Sequence, residues 1–404
     1  MITVVGQGYV GLPISIAAAE AGYTVNGFDI DAEKILNLQQ GITESPDINS
    51  NRLLELQLLG KIKFSSNILD QSQSSIFIIA VPTPLDMNYK PDLRFLETAC
   101  TSIAQVVKAG SLIINESTSF IGTLRNFIMP IIKNISNLED LDFVVAPERI
   151  DPGNFDWHLK NTPRVIGGIN QKAVEKAKAF YDKICDNVSI VSAPEVAEAA
   201  KLFENTFRQV NIALVNEFAE IAAEFGFSSN EAIKAAATKP FGFMPFYPSI
   251  GTGGHCIPVD PSYLVHSGDA AGVPTKLIGT ANTINRSRPL TTAERIKNFL
   301  GGDINDKYLQ VAGIAYKPNI SDLRESPAVE LLDALEKYGA RVAWSDPYVK
   351  VLNGRKSIPL DPSVDLGLIV TPHSNFDFTI WKQSQTKVLD LSSNPKNFGW
   401  PKFF

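Results

Sequence analysis

Cysteine is scarce in this chain: Cys100, Cys185 and Cys256 are the only three among 404 residues, and they stand far apart. An odd, scattered set does not make a disulfide framework and suits a reducing compartment. Histidine is nearly as sparse, at four, with no close cysteine pair beside it, so no metal site is expected. Long apolar runs are missing as well. The stretch Ser75-Ile76-Phe77-Ile78-Ile79-Ala80-Val81 has the length of a strand, far below the roughly 20 residues that cross a bilayer, and no membrane association is expected. Neither sign of charge dominates, with a net charge of -6 and basic and acidic residues interspersed. That excludes the basic stripe of a nucleic-acid binder while leaving room for a local cationic pocket. The opening residues Met1-Ile2-Thr3-Val4-Val5 read as a strand rather than as a charged leader before an apolar core, and a cytoplasmic location is the expectation.

What is present is a soluble globular composition, 44% hydrophobic and 20% charged, in a chain long enough for two or three domains. Residues 2 to 5 run into Gly6-Gln7-Gly8-Tyr9-Val10-Gly11, then a small-residue helix from Leu12 to Ala21, then a strand from Tyr23 to Phe28 that ends on Asp29. Strand, glycine turn, helix, strand and acid are the parts of a dinucleotide site. The first glycine permits the turn, the second lets a pyrophosphate approach the backbone, and the third allows close helix packing. Asp29 would accept from ribose hydroxyls and repel a 2'-phosphate, which favours NAD over NADP. The strand from Ile76 to Val81 stops at Pro82-Thr83-Pro84, where the carboxyl edge of such a sheet faces its cofactor. Glu116-Ser117-Thr118-Ser119 and Pro147-Glu148-Arg149 follow two further strands. There Thr118 could orient ribose, nicotinamide or water, or cap a helix. Glu148 could act as a base or hold water, and Arg149 could meet a phosphate, or both could belong to surface ion pairs.

Glu195 to Phe225 reads as one long helix that carries Lys201, Asn205 and Arg208 on one face. Cys256 stands in Gly251-Thr252-Gly253-Gly254-His255-Cys256-Ile257-Pro258-Val259-Asp260, ahead of a helix start at Asp260-Pro261. A thiol there could be a nucleophile activated by the helix N-terminus or a buried residue of a tight turn. A helical stretch over 261 to 287 is expected to end before Pro289, with a separate helix running into Phe299. From Leu309 a second α/β pattern begins, without a glycine triplet. The expected class is α/β, with two doubly wound Rossmann-like domains joined by a central helical region with a long helix. Its boundaries fall at 1–193, 194–300 and 301–404.

Taken in order, these motifs resemble the UDP-glucose and GDP-mannose dehydrogenase family over essentially the whole chain. The resemblance rests on Gly6 to Leu12, Glu116-Ser117-Thr118, Pro147-Glu148-Arg149, Lys201 with Asn205, Gly253-Gly254-His255-Cys256, Asp260, and Ala315-Tyr316-Lys317-Pro318-Asn319 continuing through Asp322-Leu323-Arg324-Glu325-Ser326-Pro327. It implies a four-electron oxidation of a sugar C6 alcohol with two NAD. In that reaction Cys256 captures the aldehyde, Lys201 and Asn205 stabilise the oxyanion, Asp260 and Thr118 serve the water, and Glu148, Asp151 or another nearby group would cover a water-activating glutamate that this chain lacks. NAD would lie on Gly6, Gly8, Tyr9, Val10, Gly11, Asp29, Pro82, Thr83 and Thr118. The nucleotide sugar would meet Glu148, Arg149, Lys201, Asn205, Gly253, Lys317 and Arg324. The long helix resembles the family's dimerisation helix, implying a homodimer, and the product would serve polysaccharide synthesis. Departures narrow the substrate. Pro152 stands where the UDP-glucose branch has a second glutamate, and Ile257 and Val259 replace an aromatic residue and a lysine. The motif is thus more similar to enzymes of UDP-N-acetylhexosamines, above all UDP-N-acetylglucosamine, with UDP-glucose as the alternative and a two-electron NAD-dependent alcohol or hydroxy-acid dehydrogenase as the rival class.

Overall fold

In the computed structural model, residues 1–43, 48–150, 156–254, 256–394, 396 and 398–404 are described. The chain divides into two compact units, Met1–Glu204 with His266–Ala271, and Asn205–Val265 with Gly272–Phe404.

The first unit is built on eight strands: β1 (Ile2–Val5), β2 (Val25–Phe28), β3 (Ile62–Ser65), β4 (Ile76–Ile79), β5 (Leu112–Asn115), β6 (Asp142–Val145), β7 (Arg164–Gly168) and β8 (Val188–Ile190). They lie in the order β3-β2-β1-β4-β5-β6-β7-β8, parallel throughout except for β6 with β7. Parallel strands need crossovers, and α1 (Gly11–Glu20), α2 (Ala32–Gln39), α3 (Ser50–Leu58), α4 (Arg94–Ala104), α5 (Met129–Ser136) and α6 (Gln171–Tyr181) lie between them in the chain. Helices on both faces bury every residue of β1 and β5, which is why these strands read as continuous apolar runs rather than alternating ones. One core gathers Ile14, Leu53 and Tyr181, and the other Phe77, Ile103 and Phe143. The strand order reverses direction between β1 and β4, the switch point at which such sheets take nucleotides.

Four helices follow: α7 (Pro194–Glu224), α8 (Ser229–Ala236), α9 (Asp260–Ala270) and α10 (Lys276–Phe299). The division between the units falls inside α7 and α9. The second unit then forms β9 (Tyr308–Ala312), α11 (Pro327–Lys337), β10 (Arg341–Ser345), a small hairpin of β11 (Val351–Leu352) and β12 (Arg355–Lys356), β13 (Leu366–Ile369), α12 (Thr379–Gln383) and β14 (Val388–Asp390). Its sheet runs β10-β9-β13-β14, all parallel, over a core that includes Leu309, Leu331 and Trp344.

One expected boundary is overturned. Pro289 does not separate two helices; it lies buried inside the continuous α10. Proline removes the N–H that would have bonded the carbonyl of Asn285. That carbonyl instead faces Gly251, where an added Cβ would stand 3.0 Å from its oxygen. Burial of Asn285, Arg288 and Pro289, with the Asn285 side chain bonded to Asn216 and to the Gln209 carbonyl, supplies the tertiary packing that accompanies the unbroken helix.

Candidate active site

The glycine turn after β1 has the shape a dinucleotide requires. Gly6 sits at φ +93°, and a Cβ there would lie 2.4 Å from the Ala80 carbonyl oxygen. A Cβ on Gly11 would lie 1.8 Å from the oxygen of Gly6, whereas one on Gly8 would meet nothing within 4 Å. The first and third glycines are therefore demanded by the protein's own packing, and the second leaves an open cradle over the backbone. Helix α1 begins beside Tyr9 and Val10 with no capping side chain; the Leu12 N–H bonds the Gly8 carbonyl at 3.1 Å, and the helix N-terminus is the end that favours a phosphate. Asp29, buried at the end of β2, accepts the Gln7 N–H on Oδ2 at 2.8 Å and the Asp31 N–H on Oδ1 at 3.0 Å. Lys34 on α2 reaches the same carboxylate, its Nζ 3.0 Å from Oδ2. The position of Lys34, in the first turns of the helix after the acid, was the only sequence signal for this contact.

Across the switch point Thr83 is buried and Pro82 exposed. The Ser117 hydroxyl accepts the Val81 N–H at 2.9 Å and lies 2.8 Å from the Val81 carbonyl, tying the end of β4 to the end of β5. With Ser117 committed to the backbone, Thr118 is the half-buried hydroxyl of that motif. Glu148 is the visible end of a buried ionic cluster. Its Oε2 lies 3.1 Å from Arg164, whose other nitrogen lies 3.0 Å from Glu116 Oε2, and Tyr181 donates its hydroxyl to Glu116 at 2.5 Å. The other Glu148 oxygen accepts the N–H groups of Arg149 and Ile150. Burial pushes the Glu116 carboxyl up to about 7, opposed by the nearby Arg164 charge and reinforced by Glu148. Arg164, an isolated cation at the start of an apolar strand, gave no readable sign of this role. Arg149 pairs with Glu204 at 2.6 Å and donates to the Pro163 carbonyl. The place of the absent second glutamate, Pro152, lies outside the described residues, as do Asp151 and His255.

Lys201 is buried on α7 and pairs with no carboxylate among the described residues. One turn later, Asn205 donates from Nδ2 to Asp260 Oδ2 at 2.5 Å, and Asp260 is 1% exposed. The glycines before the thiol are packing requirements. A Cβ on either Gly253 or Gly254 would stand 2.7 Å from atoms of Tyr316, and the Gly254 N–H donates to the Arg324 carbonyl at 3.0 Å. Cys256 is the exposed cysteine; Cys100 and Cys185 are buried, and burial pushes the Cys100 thiol up to about 12. The Cys256 carbonyl accepts the Asp260 N–H at 2.9 Å, which seats the thiol-bearing residue at the entry to α9. Lys317 is half-buried, and the exposed Arg324 folds back onto Asp322, its Nη2 2.6 Å from Oδ2. Among the described residues no group of His, Cys, Asp and Glu could hold a metal ion, and no helix is long and apolar enough to cross a membrane.

Comparison with known proteins agrees with these parts in order. Residues 1–185 match the NAD binding domain of the UDP-glucose/GDP-mannose dehydrogenase family, 195–287 its central domain and 310–394 its UDP binding domain. The chain is similar to the UDP-N-acetyl-D-mannosamine dehydrogenase of Pyrococcus horikoshii, 37% identical over 389 residues that cover 94% of this chain and 91% of that one. It is also similar to the UDP-N-acetyl-D-glucosamine 6-dehydrogenase of Pseudomonas aeruginosa, 33% identical over 389 residues, 93% and 91% of the two chains. The solved UDP-D-ManNAc dehydrogenase of Pyrococcus horikoshii matches with a TM-score of 0.87 at 34% identity, over 100% of this chain and 97% of that one. With the open glycine cradle, the acid that ends β2 and all three domains present, the chain belongs to the UDP-glucose/GDP-mannose dehydrogenase family of NAD-dependent nucleotide-sugar oxidoreductases.

Proposed function

We propose that this protein oxidises the C6 hydroxyl of a UDP-N-acetylhexosamine to the carboxylate in two successive two-electron steps. The observation that carries the reading is Cys256: it is exposed, seated by backbone bonds at the entry to α9, and followed by the Asn205–Asp260 pair. Bound NAD supplies the hydride acceptor, one molecule for each two-electron oxidation. The Cys256 thiolate forms a C–S bond to the C6 aldehyde, giving a thiohemiacetal. Loss of the second hydride converts this to a thioester, and water adding to the carbonyl carbon expels the thiolate and leaves the acid. Lys201 and Asn205 are assigned to the oxyanion, where donors fixed in advance are worth most. Asp260 and Thr118 are assigned to the water, with Glu148 held ready by Arg164. Lys317 and Arg324 are assigned to the UDP phosphates, with arginine offering a donor fork that lysine lacks.

On sequence motif the preferred sugar is UDP-N-acetylglucosamine. The mannosamine epimer is the second reading, favoured by the 37% identity to a UDP-N-acetyl-D-mannosamine dehydrogenase. A homodimer through α7 is supported by the exposed side chains of Phe203, Leu214 and Ile221 on that helix. The deciding experiment counts NADH released per sugar for the two epimers and UDP-glucose. Two NADH per N-acetylated sugar is expected; one per sugar, or turnover of UDP-glucose alone, overturns the proposal. Cys256→Ser should abolish acid formation while NAD still binds, and unaltered turnover would remove the nucleophile assignment.

A further inference from the structure

His373 is buried in the loop after β13 and takes no part in the chemistry assigned above. Both of its ring nitrogens are engaged: Nε2 lies 3.0 Å from Asp346 Oδ2, and Nδ1 lies 2.8 Å from the backbone N of Asn319. A backbone N–H can only donate, so Nδ1 is the acceptor and the ring hydrogen sits on Nε2, directed at Asp346. The same loop makes two further ties to the segment after β9. Thr371 donates its hydroxyl to the Ala315 carbonyl at 2.7 Å, and Ser374 donates both its N–H and its hydroxyl to Asn319 Oδ1, at 2.8 and 2.9 Å. Asp346 Oδ2 meanwhile accepts the N–H groups of Ile314 and Ala315, at 2.8 and 3.2 Å. The segment held at both ends is Ala315-Tyr316-Lys317-Pro318-Asn319, with Lys317 at its centre. Asn319 lies at φ +67°, a left-handed conformation that asparagine tolerates but that a free loop does not hold by itself.

We propose that His373 is a positioning residue for the nucleotide sugar: by accepting the Asn319 N–H it fixes the backbone from which Lys317 reaches the UDP phosphates. This rests on the assignment of Lys317 to those phosphates. The two nitrogens can be tested separately, because glutamine keeps a donor near the ε position and lacks the δ acceptor, while asparagine keeps an acceptor near δ and lacks the ε donor.

The experiment measures UDP affinity by titration calorimetry, together with kcat and KM for NAD and for the UDP-N-acetylhexosamine. For His373→Gln the affinity for UDP and the KM for the sugar nucleotide should worsen about tenfold, the cost of one lost hydrogen bond, with kcat and the KM for NAD within about twofold. His373→Asn should stay within about threefold of the parent, as expected when the δ acceptor is retained. Unchanged UDP affinity in a folded His373→Gln variant overturns the proposal, as does equal weakening in the Gln and Asn variants. Asn319→Gly accepts the positive φ, keeps the N–H that His373 accepts and deletes the bonds from Ser374; UDP affinity should stay within about threefold, and a tenfold loss here, whether or not His373→Gln folds, would place the positioning in the Ser374 tie and overturn the proposal. Lys317→Ala separates the two levels. If it leaves UDP affinity intact, the assignment of Lys317 fails; if it weakens UDP while His373→Gln does not, only the positioning role fails.

Discussion

At the switch point of the first sheet, the Gly6 N–H donates to the Phe28 carbonyl at 2.8 Å; at that of the second, the Gly313 N–H donates to the Ser345 carbonyl at 2.8 Å. Both glycines hold a positive φ, and both press against the carbonyl of a neighbouring strand end, that of Ala80 or of Thr371. Each sheet then ends its next strand on an aspartate, Asp29 or Asp346, whose Oδ2 accepts an N–H from the residue after the glycine. The backbone device is the same. Its side chains differ: the first turn continues with Gly8 and Gly11 and leaves a cradle open, while the second continues with Ile314, Ala315 and Tyr316, and its acid is sealed by His373. A doubly wound turn can thus receive a pyrophosphate or close on itself, and two glycines and one histidine make the difference.

The largest expected effect tests the open turn. Gly11→Ala puts a methyl 1.8 Å from the Gly6 oxygen, so NAD affinity should fall about 100-fold or more. Fluorescence titration measures it, and near-parental affinity would show that the third glycine is not required by packing. Exchanging the acids sharpens the contrast. Asp29→Ala should raise the KM for NAD about tenfold. Asp346→Ala should leave that KM unchanged and cost about 3 kcal/mol of stability by stranding buried N–H groups. Calorimetric unfolding with NAD kinetics checks both, and a rise in the NAD KM of Asp346→Ala would break the comparison.

The smallest effect is in the pH dependence, where the units should respond oppositely. Burial holds the folded-state Glu116 and Glu198 carboxyls up at about 7. Their favourable contribution is complete below the unfolded value near 4.5 and is lost as pH rises through about 7, because the folded state holds the proton longer. For Asp346, burial pushes upward, but the His373 contact and backbone N–H groups outweigh it and leave the carboxyl below the ordinary aspartate value of 3.8. Its contribution is present above that value and is lost as pH falls through the lowered one. Glu116→Gln should therefore flatten the stability slope between pH 4.5 and 7, and Asp346→Asn the slope in acid. An unchanged slope in either variant, read from unfolding midpoints against pH, would refute that assignment.

Much of the site was legible because its parts are local. The first glycine turn and the acid after β2 declare themselves within a few residues, where backbone geometry shapes the turn; Lys201 with Asn205, and Cys256 ahead of α9, stand out by helical spacing and position, and their roles rest on the proposal above. The short strand Ile62–Ser65 did not stand out, since four residues with two facing out carry little pattern. Pro289 misled because proline signals a helix break wherever no tertiary contact covers the lost bond. Arg164 and His373 were not assigned roles, because each acts through a carboxylate that the fold brings to it, 48 residues away for Arg164 and Glu116; Lys34 follows Asp29 closely, but its reach back depends on the turn between β2 and α2.

The sequence by itself determined the class of the protein and the cofactor turn, and it singled out Cys256 as the cysteine to test, for these depend on residue types at short spacing. Tertiary structure alone decided that Ser117 is a strand tie, that Glu148 is anchored by Arg164, that Asn205 answers to Asp260, and that the second aspartate turn is sealed by His373. Those facts depend on distances between residues remote in the chain, and packing alone sets such distances.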